Sequence, residues 1–232
     1  MTIKGIIFDK DGTLFDFQQS WANSTFEFLL TLSANNPHKL NDLARLLKFD
    51  IAHKKFKRNS PFIGGTVAET IKLISPLFPS ISEEELWSAH LYHFESVTQV
   101  PVNNLHKTLS YLKSNNYCLG VATNDLEKST LEHLGKEGII EHFDCVVAAD
   151  SGFGAKPAPT QLIEISRKLD LNFSELLMVG DSSQDLVAAN KVGITAIGVL
   201  TGVASKKDLS QHSSIVLKDI SKLASWLETY NS

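Results

Sequence analysis

Four short stretches of this chain carry side chains able to do chemistry. They are Asp9-Lys10-Asp11-Gly12-Thr13, Thr123-Asn124, Lys156-Pro157 and Gly180-Asp181, the last with Asp185 four residues on. If a strand continues through Asp9 and Asp11, its two-residue period points both carboxylates to the same side. Two close carboxylates repel each other and need a cation or a shared proton. A magnesium ion supplies that charge and prefers oxygen ligands. Asp181 can complete the carboxylate set from another strand end, so Asp9, Asp11 and Asp181 are the expected metal ligands. Phosphoryl transfer needs an in-line nucleophile, a metal, donors for the equatorial oxygens and a cation for the developing charge. Thr123 offers a hydroxyl and, with Asn124, backbone N–H groups near a helix start, which is a good anion site. Lys156 offers a fixed positive charge beside Pro157. Taken singly, Asp-Gly-Thr reads as a turn, Thr123 as a helix cap and Lys156 as a solvated lysine. Their occurrence in order, each after a strand-like run, favours one shared site.

The elements that would position them follow from hydrophobic pattern. Ile3–Phe8 reads as a buried first strand ending in carboxylates. From Phe17 to about Val100 the pattern is helical, with helices expected over Gln18–Leu32, Leu40–Phe56 and Thr66–Leu77. Ser82 with Glu85 fits a capping box opening a further helix through His93. After Pro101, helices near Leu105–Lys113, Leu126–Leu134, Thr160–Leu169 and Leu186–Lys191 alternate with strands. These strands are Leu119–Ala122, Cys145–Ala149, Leu176–Val179 and Thr195–Val199. Ile215–Leu217 adds an edge strand and Ile220–Leu227 a closing helix. The alternation indicates an α/β fold, a parallel sheet with helices on both faces. Ligands of such sheets bind outside the carboxyl ends of the strands, where all four stretches fall. The helical block reads as an insertion, which divides the chain into a core of residues 1–15 and 101–232 and a helical cap of residues 16–100.

The same four stretches, extended to Gly180-Asp181-Ser182-Ser183-Gln184-Asp185, resemble the four motifs of the haloacid dehalogenase-like hydrolase superfamily over nearly the whole chain. The resemblance implies a Rossmann-like core and a magnesium-dependent phosphatase acting through an aspartyl-phosphate. It makes Asp9 the nucleophile and Asp11 the general acid/base. It gives Thr123 and Asn124 the phosphoryl oxygens, and Lys156 the task of steadying the nucleophile and the phosphate. Asp181 becomes a metal ligand, with Asp185 in or just outside the coordination shell. The helical insertion resembles the cap of the phosphoglycolate phosphatase and β-phosphoglucomutase branch. The wording of the motifs is closest to phosphoglycolate phosphatases, which implies a small phosphorylated metabolite as substrate. A sugar phosphomutase on the same motifs, or a catalytically silent binding protein on this scaffold, is the alternative. Asp11 argues against haloacid dehalogenases and phosphonate hydrolases, which usually lack that carboxylate. Lys10 departs from the apolar residue usual between the two aspartates, and is expected to point away from them.

Composition narrows the partners. The chain has 232 residues, 43% of them hydrophobic and 21% charged, which is ordinary for a globular protein. A formal net charge of −4 argues against nucleic acid or an acidic membrane surface as the main partner. Cys118 and Cys145 make no disulfide framework and are expected as small buried core residues. No apolar run approaches a membrane span and no hydrophobic leader precedes the first strand, so a cytoplasmic location is the default. His90 and His93, three apart on a helix, are expected to be partly exposed rather than metal-binding. Lys54, Lys55, Lys57 and Arg58 read as a solvated face from which one cation could reach a substrate.

Overall fold

In the computed structural model, which describes residues 2–58, 60–95 and 97–231, strand β1 (Gly5–Phe8) is buried at all four positions. Its unbroken apolar run is what a central strand covered on both faces requires. The insertion follows as α1 (Phe17–Ser33), α2 (Pro37–Leu46), a two-strand hairpin of β2 (Phe49–Asp50) and β3 (Lys55–Phe56), α3 (Pro61–Gly64), α4 (Val67–Ile74) and α5 (Glu83–Phe94). The chain then alternates through α6 (Leu105–Ser114), β4 (Cys118–Ala122), α7 (Glu127–Lys136), β5 (Cys145–Val147), α8 (Thr160–Leu169) and β6 (Leu176–Gly180). It closes with α9 (Ser183–Val192), β7 (Thr195–Val199), α10 (Lys206–Leu209), β8 (Val216–Leu217) and α11 (Leu223–Tyr230).

The six strands β5-β4-β1-β6-β7-β8 form one sheet in that order, and every neighbouring pair is parallel. Alternate residues feed two apolar layers. Ile6, Phe8, Val121 and Val179 pack with Leu105 and Leu109 of α6 and Leu223 of α11 on one face. Ile7, Met178 and Ala122 pack with Ile165 of α8 and Leu186 of α9 on the other. From β1 the chain builds outward to β4 and β5, then crosses to β6 on the opposite side. The direction of winding therefore reverses at β1, and a crevice forms at its carboxyl end.

A third apolar cluster is built from buried residues between Phe17 and Val97, so the insertion has a core of its own. Its two connections run side by side. Phe15 bridges Pro101, and Asp16 N–H donates to Val100 O at 2.8 Å. The capping box at Ser82 and Glu85 is present and opens α5.

The expected helix over Leu40–Phe56 is corrected: α2 stops at Leu46 and the hairpin follows. Asp50 accepts from His53 N–H at 3.2 Å, a local turn that competes with helix. Phe49 and Phe56 pair edge to face at 5.1 Å, and the Gln18 amide clamps Phe56 by two backbone hydrogen bonds of 2.9 and 3.0 Å. Cys118 and Cys145 are half-buried at the starts of β4 and β5, not core residues as expected. Among the described residues no helix is long and apolar enough to cross a membrane.

Candidate active site

Strand β1 ends at Phe8, and the chain turns immediately: Leu14 N–H donates to Lys10 O at 2.9 Å and Gly12 takes φ +89°. The two-residue alternation therefore does not continue through Asp11. Asp9 and Asp11 line the same cavity but enter different charge clusters.

The first cluster joins Asp9, Lys156, Asp181 and Asp185. The Lys156 ammonium lies 2.6 Å from Asp9 Oδ1 and 2.6 Å from Asp185 Oδ1, and donates to Ala122 O at 2.6 Å. Asp181 stands directly after β6, and Asp185 in the first turn of α9. The other Asp185 oxygen accepts from Ser182 N–H and hydroxyl at 3.0 and 2.7 Å. Ligand oxygens of Asp9, Asp181 and Asp185 fall within 4.8 Å of one another. Three carboxylates against one ammonium leave two negative charges uncompensated in a buried place. Burial, opposed by Lys156 and reinforced by Asp185 and Asp11, raises the Asp9 pKa to about 7. Burial and the Asp9 and Asp185 charges push Asp181 well above the carboxylate range. Asp181 Oδ2 is buried without a hydrogen-bond partner among the described residues. A divalent cation fits this set: it would satisfy that oxygen and cancel both charges. Gly12 and Gly202 make the approach possible, because a Cβ on either would fall 2.4 or 1.6 Å from Asp181 Oδ2.

The second cluster surrounds Lys10, and here expectation is corrected. Lys10 does not point away from the carboxylates. Fully buried, its ammonium lies 2.9 Å from Asp11 Oδ2, 2.8 Å from Asp125 Oδ2 and 3.1 Å from His133 Nδ1. Burial and the neighbouring cation Lys10 lower the His133 pKa to about 3, so its Nδ1 accepts from the ammonium. Trp21 of α1 donates its indole N–H to Asp11 Oδ1 at 2.8 Å, tying this carboxylate to the insertion. Asp11 is absent from the three-carboxylate group, so its side chain stands apart from the other expected metal ligands.

Thr123 is buried at the end of β4 and lines the cavity, its hydroxyl accepting from Asp125 N–H at 3.1 Å. Asn124 has its side chain committed: Oδ1 accepts from Lys156 N–H at 2.8 Å, while Nδ2 donates to Lys156 O at 2.9 Å and Gly64 O at 2.7 Å. It anchors the loop that carries Lys156 and joins that loop to α3. Trp21, Asp125 and His133 were not singled out by sequence, and of these only Asp125, directly after Thr123-Asn124, carried a positional signal.

His90 is corrected from partly exposed to buried. It lines the cavity, and burial lowers its pKa to about 4. His93 is more open and contacts Thr31 Oγ1 at 3.0 Å. Lys54, Lys55, Lys57 and Arg58 are exposed, and none lines the cavity.

The model of the family described as haloacid dehalogenase-like hydrolase matches residues 6–199. The chain is 30% identical over 214 residues to pyrophosphatase PpaX of Bacillus velezensis, covering 90% of this chain and 89% of that protein. It is also 30% identical over 137 residues to phosphoglycolate phosphatase of Neisseria meningitidis, covering 56% of this chain and 58% of that one. In fold it is similar to the crystal structure of a predicted phosphoglycolate phosphatase from Haemophilus somnus. That match has a TM-score of 0.76 at 21% identity, over 97% of this chain and 98% of the other.

Proposed function

The chain belongs to the haloacid dehalogenase-like hydrolases, and on that footing we propose that it hydrolyses a small phosphate monoester by way of a phosphoryl group carried on Asp9. The observation that carries this reading is the placement of Asp9. It stands at the carboxyl end of the central strand, with one oxygen held at 2.6 Å by Lys156 and two more buried carboxylates alongside.

Asp9, Asp181 and Asp185 are the side chains that would hold a magnesium ion. When bound, it would offset the charge of the carboxylates and of the incoming phosphate. The Asp11 carboxylate faces Trp21 and Lys10 and stands outside that set. Asp9 attacks phosphorus in line, and Lys156 holds its carboxylate in place and offsets the developing negative charge. Thr123, with its hydroxyl on the cavity wall, and the backbone around Asn124 receive the phosphoryl oxygens; the Asn124 side chain serves by positioning Lys156. Asp11 gives its proton to the leaving oxygen, then takes one from the water that attacks the acyl-phosphate and returns Asp9. Residues 16–100 act as the cap on a core of residues 1–15 and 101–232. Their paired connections at Phe15–Asp16 and Val100–Pro101 serve as the hinge.

Asp9→Asn tests the assignment, because an amide cannot accept the phosphoryl group. The variant should keep the wild-type circular dichroism and melting behaviour but release phosphate from 4-nitrophenyl phosphate at less than about one per cent of the wild-type rate. Turnover well above that level would remove Asp9 from the role of nucleophile.

A further inference from the structure

The cavity over Asp9 lies between the strand ends of the core and the helices of the cap. Its floor is polar and ionic, but its cap side is not. Trp21 of α1, Phe62 and Ile63 of α3, Val67 and Thr70 of α4 and His90 of α5 form that side. Phe62 stacks at 5.3 Å on Phe56 and at 6.2 Å on His90. No lysine or arginine of the cap is among the described residues that line the cavity.

The cations that could meet an anionic leaving group are engaged elsewhere. Lys156 is committed to Asp9 and Asp185, and Lys10 is sealed behind Asp11 and Asp125. In the cap, Lys54 sits over the Phe26 ring at 4.3 Å, Lys57 lines a separate hollow beside α2 and β2, and Lys55 and Arg58 are exposed away from the cavity lining. Asp11 and Asp125 also line the cavity, but both are paired with Lys10 and bring no spare cation to it. His90 adds no positive charge, being held neutral by burial. Its ring lines the cavity, where a neutral imidazole can hydrogen-bond an uncharged hydroxyl or carbonyl.

Resting on the phosphatase reading above, we propose that the leaving group is uncharged and carries a ring or other apolar body. That body packs against Trp21 and Phe62, with His90 as its hydrogen-bonding partner. A carboxylate or a second phosphoryl group on the leaving side is disfavoured. It would lose water without gaining a cation. On this reading none of Lys54, Lys55, Lys57 and Arg58 meets the substrate. An uncharged leaving group also separates this chain from a preference for phosphoglycolate or pyrophosphate.

Benzyl phosphate and 4-carboxybenzyl phosphate differ by one carboxylate and leave as similar alcohols. With the magnesium-loaded protein, kcat/KM should favour benzyl phosphate by more than about tenfold, the scale set by desolvating a charge that gains no partner. Phosphoglycolate and inorganic pyrophosphate should also fall below benzyl phosphate. Calorimetric titration with benzylphosphonate and 4-carboxybenzylphosphonate should give the same order of affinity without turnover. In Ile63→Arg, which adds a cation to the cap side, the ratio should narrow or invert in both measurements. Equal or reversed preference in the wild type overturns this inference while leaving the phosphatase reading intact. Binding of neither phosphonate overturns it too. Failure to release phosphate from every ester, with benzylphosphonate still bound more tightly, overturns the phosphatase reading but not the character of the pocket.

Discussion

Between Asp9 and Asp11 stands a lysine with no solvent contact, and its partners explain why it is there. A buried ammonium is tolerated only with opposite charge close by, and Lys10 has Asp11 and Asp125 within 3 Å. Removing it leaves two carboxylates facing each other beside a neutral imidazole. We expect Lys10→Met to lose about 3–5 kcal/mol of stability, the usual cost of breaking a buried pair. The double variant Lys10→Met, Asp125→Asn should recover much of that loss, because one of the two orphaned charges is gone. Urea unfolding of the three proteins decides the point, and a Lys10→Met variant as stable as wild type would contradict the pairing. At this scale the sequence was legible where a residue's role depends on its place after a strand. Asp9, Thr123 and Asp181 stand directly after β1, β4 and β6 on one cavity, whereas Lys156 lies well beyond β5 and its backbone is held there by Asn124. The sequence was silent where the role depends on a partner far along the chain. Lys10 reaches His133 across 123 positions and Trp21 reaches Asp11 from the insertion, and neither contact leaves a local pattern.

Elements bring the site together by ending at one place. β1 delivers Asp9, β6 delivers Asp181 and the first turn of α9 delivers Asp185, so the cluster is a product of strand order rather than of any one loop. Its like charges have a thermodynamic signature. Asp9 titrates near 7 and Asp181 well above 3.8, so without a metal both favour their protonated forms in the folded state. For carboxylates raised in this way the stabilising contribution is complete below the unfolded pKa. It is lost as pH rises through the folded one. A cation must displace those protons, and its hold strengthens over the same interval. The rise in melting temperature on adding magnesium, relative to excess chelator, should therefore be small at about pH 5.5 and clearly larger at about pH 8. Taking the difference cancels the opposing titration of buried His90 and His133, which fall to about 4 and about 3. An increment independent of pH, or unchanged in Asp181→Asn, would contradict the metal assignment. Apolar runs and capping boxes made most elements readable, with Thr160–Leu169 and Thr195–Val199 matching their expected bounds. The β2–β3 hairpin was not readable, since a helical period through Leu40–Phe56 carries no sign of the Gln18 clamp that holds Phe56.

At the scale of the whole molecule, the proposed reaction would divide between a core that holds the phosphoryl group and an insertion that meets the leaving group. Asp11 is one place where the two touch: it lies in the turn after β1 and accepts a hydrogen bond from Trp21 of α1. The two halves of the reaction ask different things of it. With 4-nitrophenyl phosphate the leaving group needs little acid help, whereas hydrolysis of the acyl-phosphate needs a base. In Asp11→Asn the first step should therefore outrun the second. Mixing this variant with 4-nitrophenyl phosphate and magnesium, then quenching in acid, should give a burst of nitrophenolate followed by slow turnover. The quenched protein should carry one phosphoryl group on the peptide containing Asp9, labile to hydroxylamine and absent when Asp9 is also changed to Asn. A burst-free time course with no phosphorylated Asp9 peptide would contradict the central claim that this chain works through phosphate carried on Asp9.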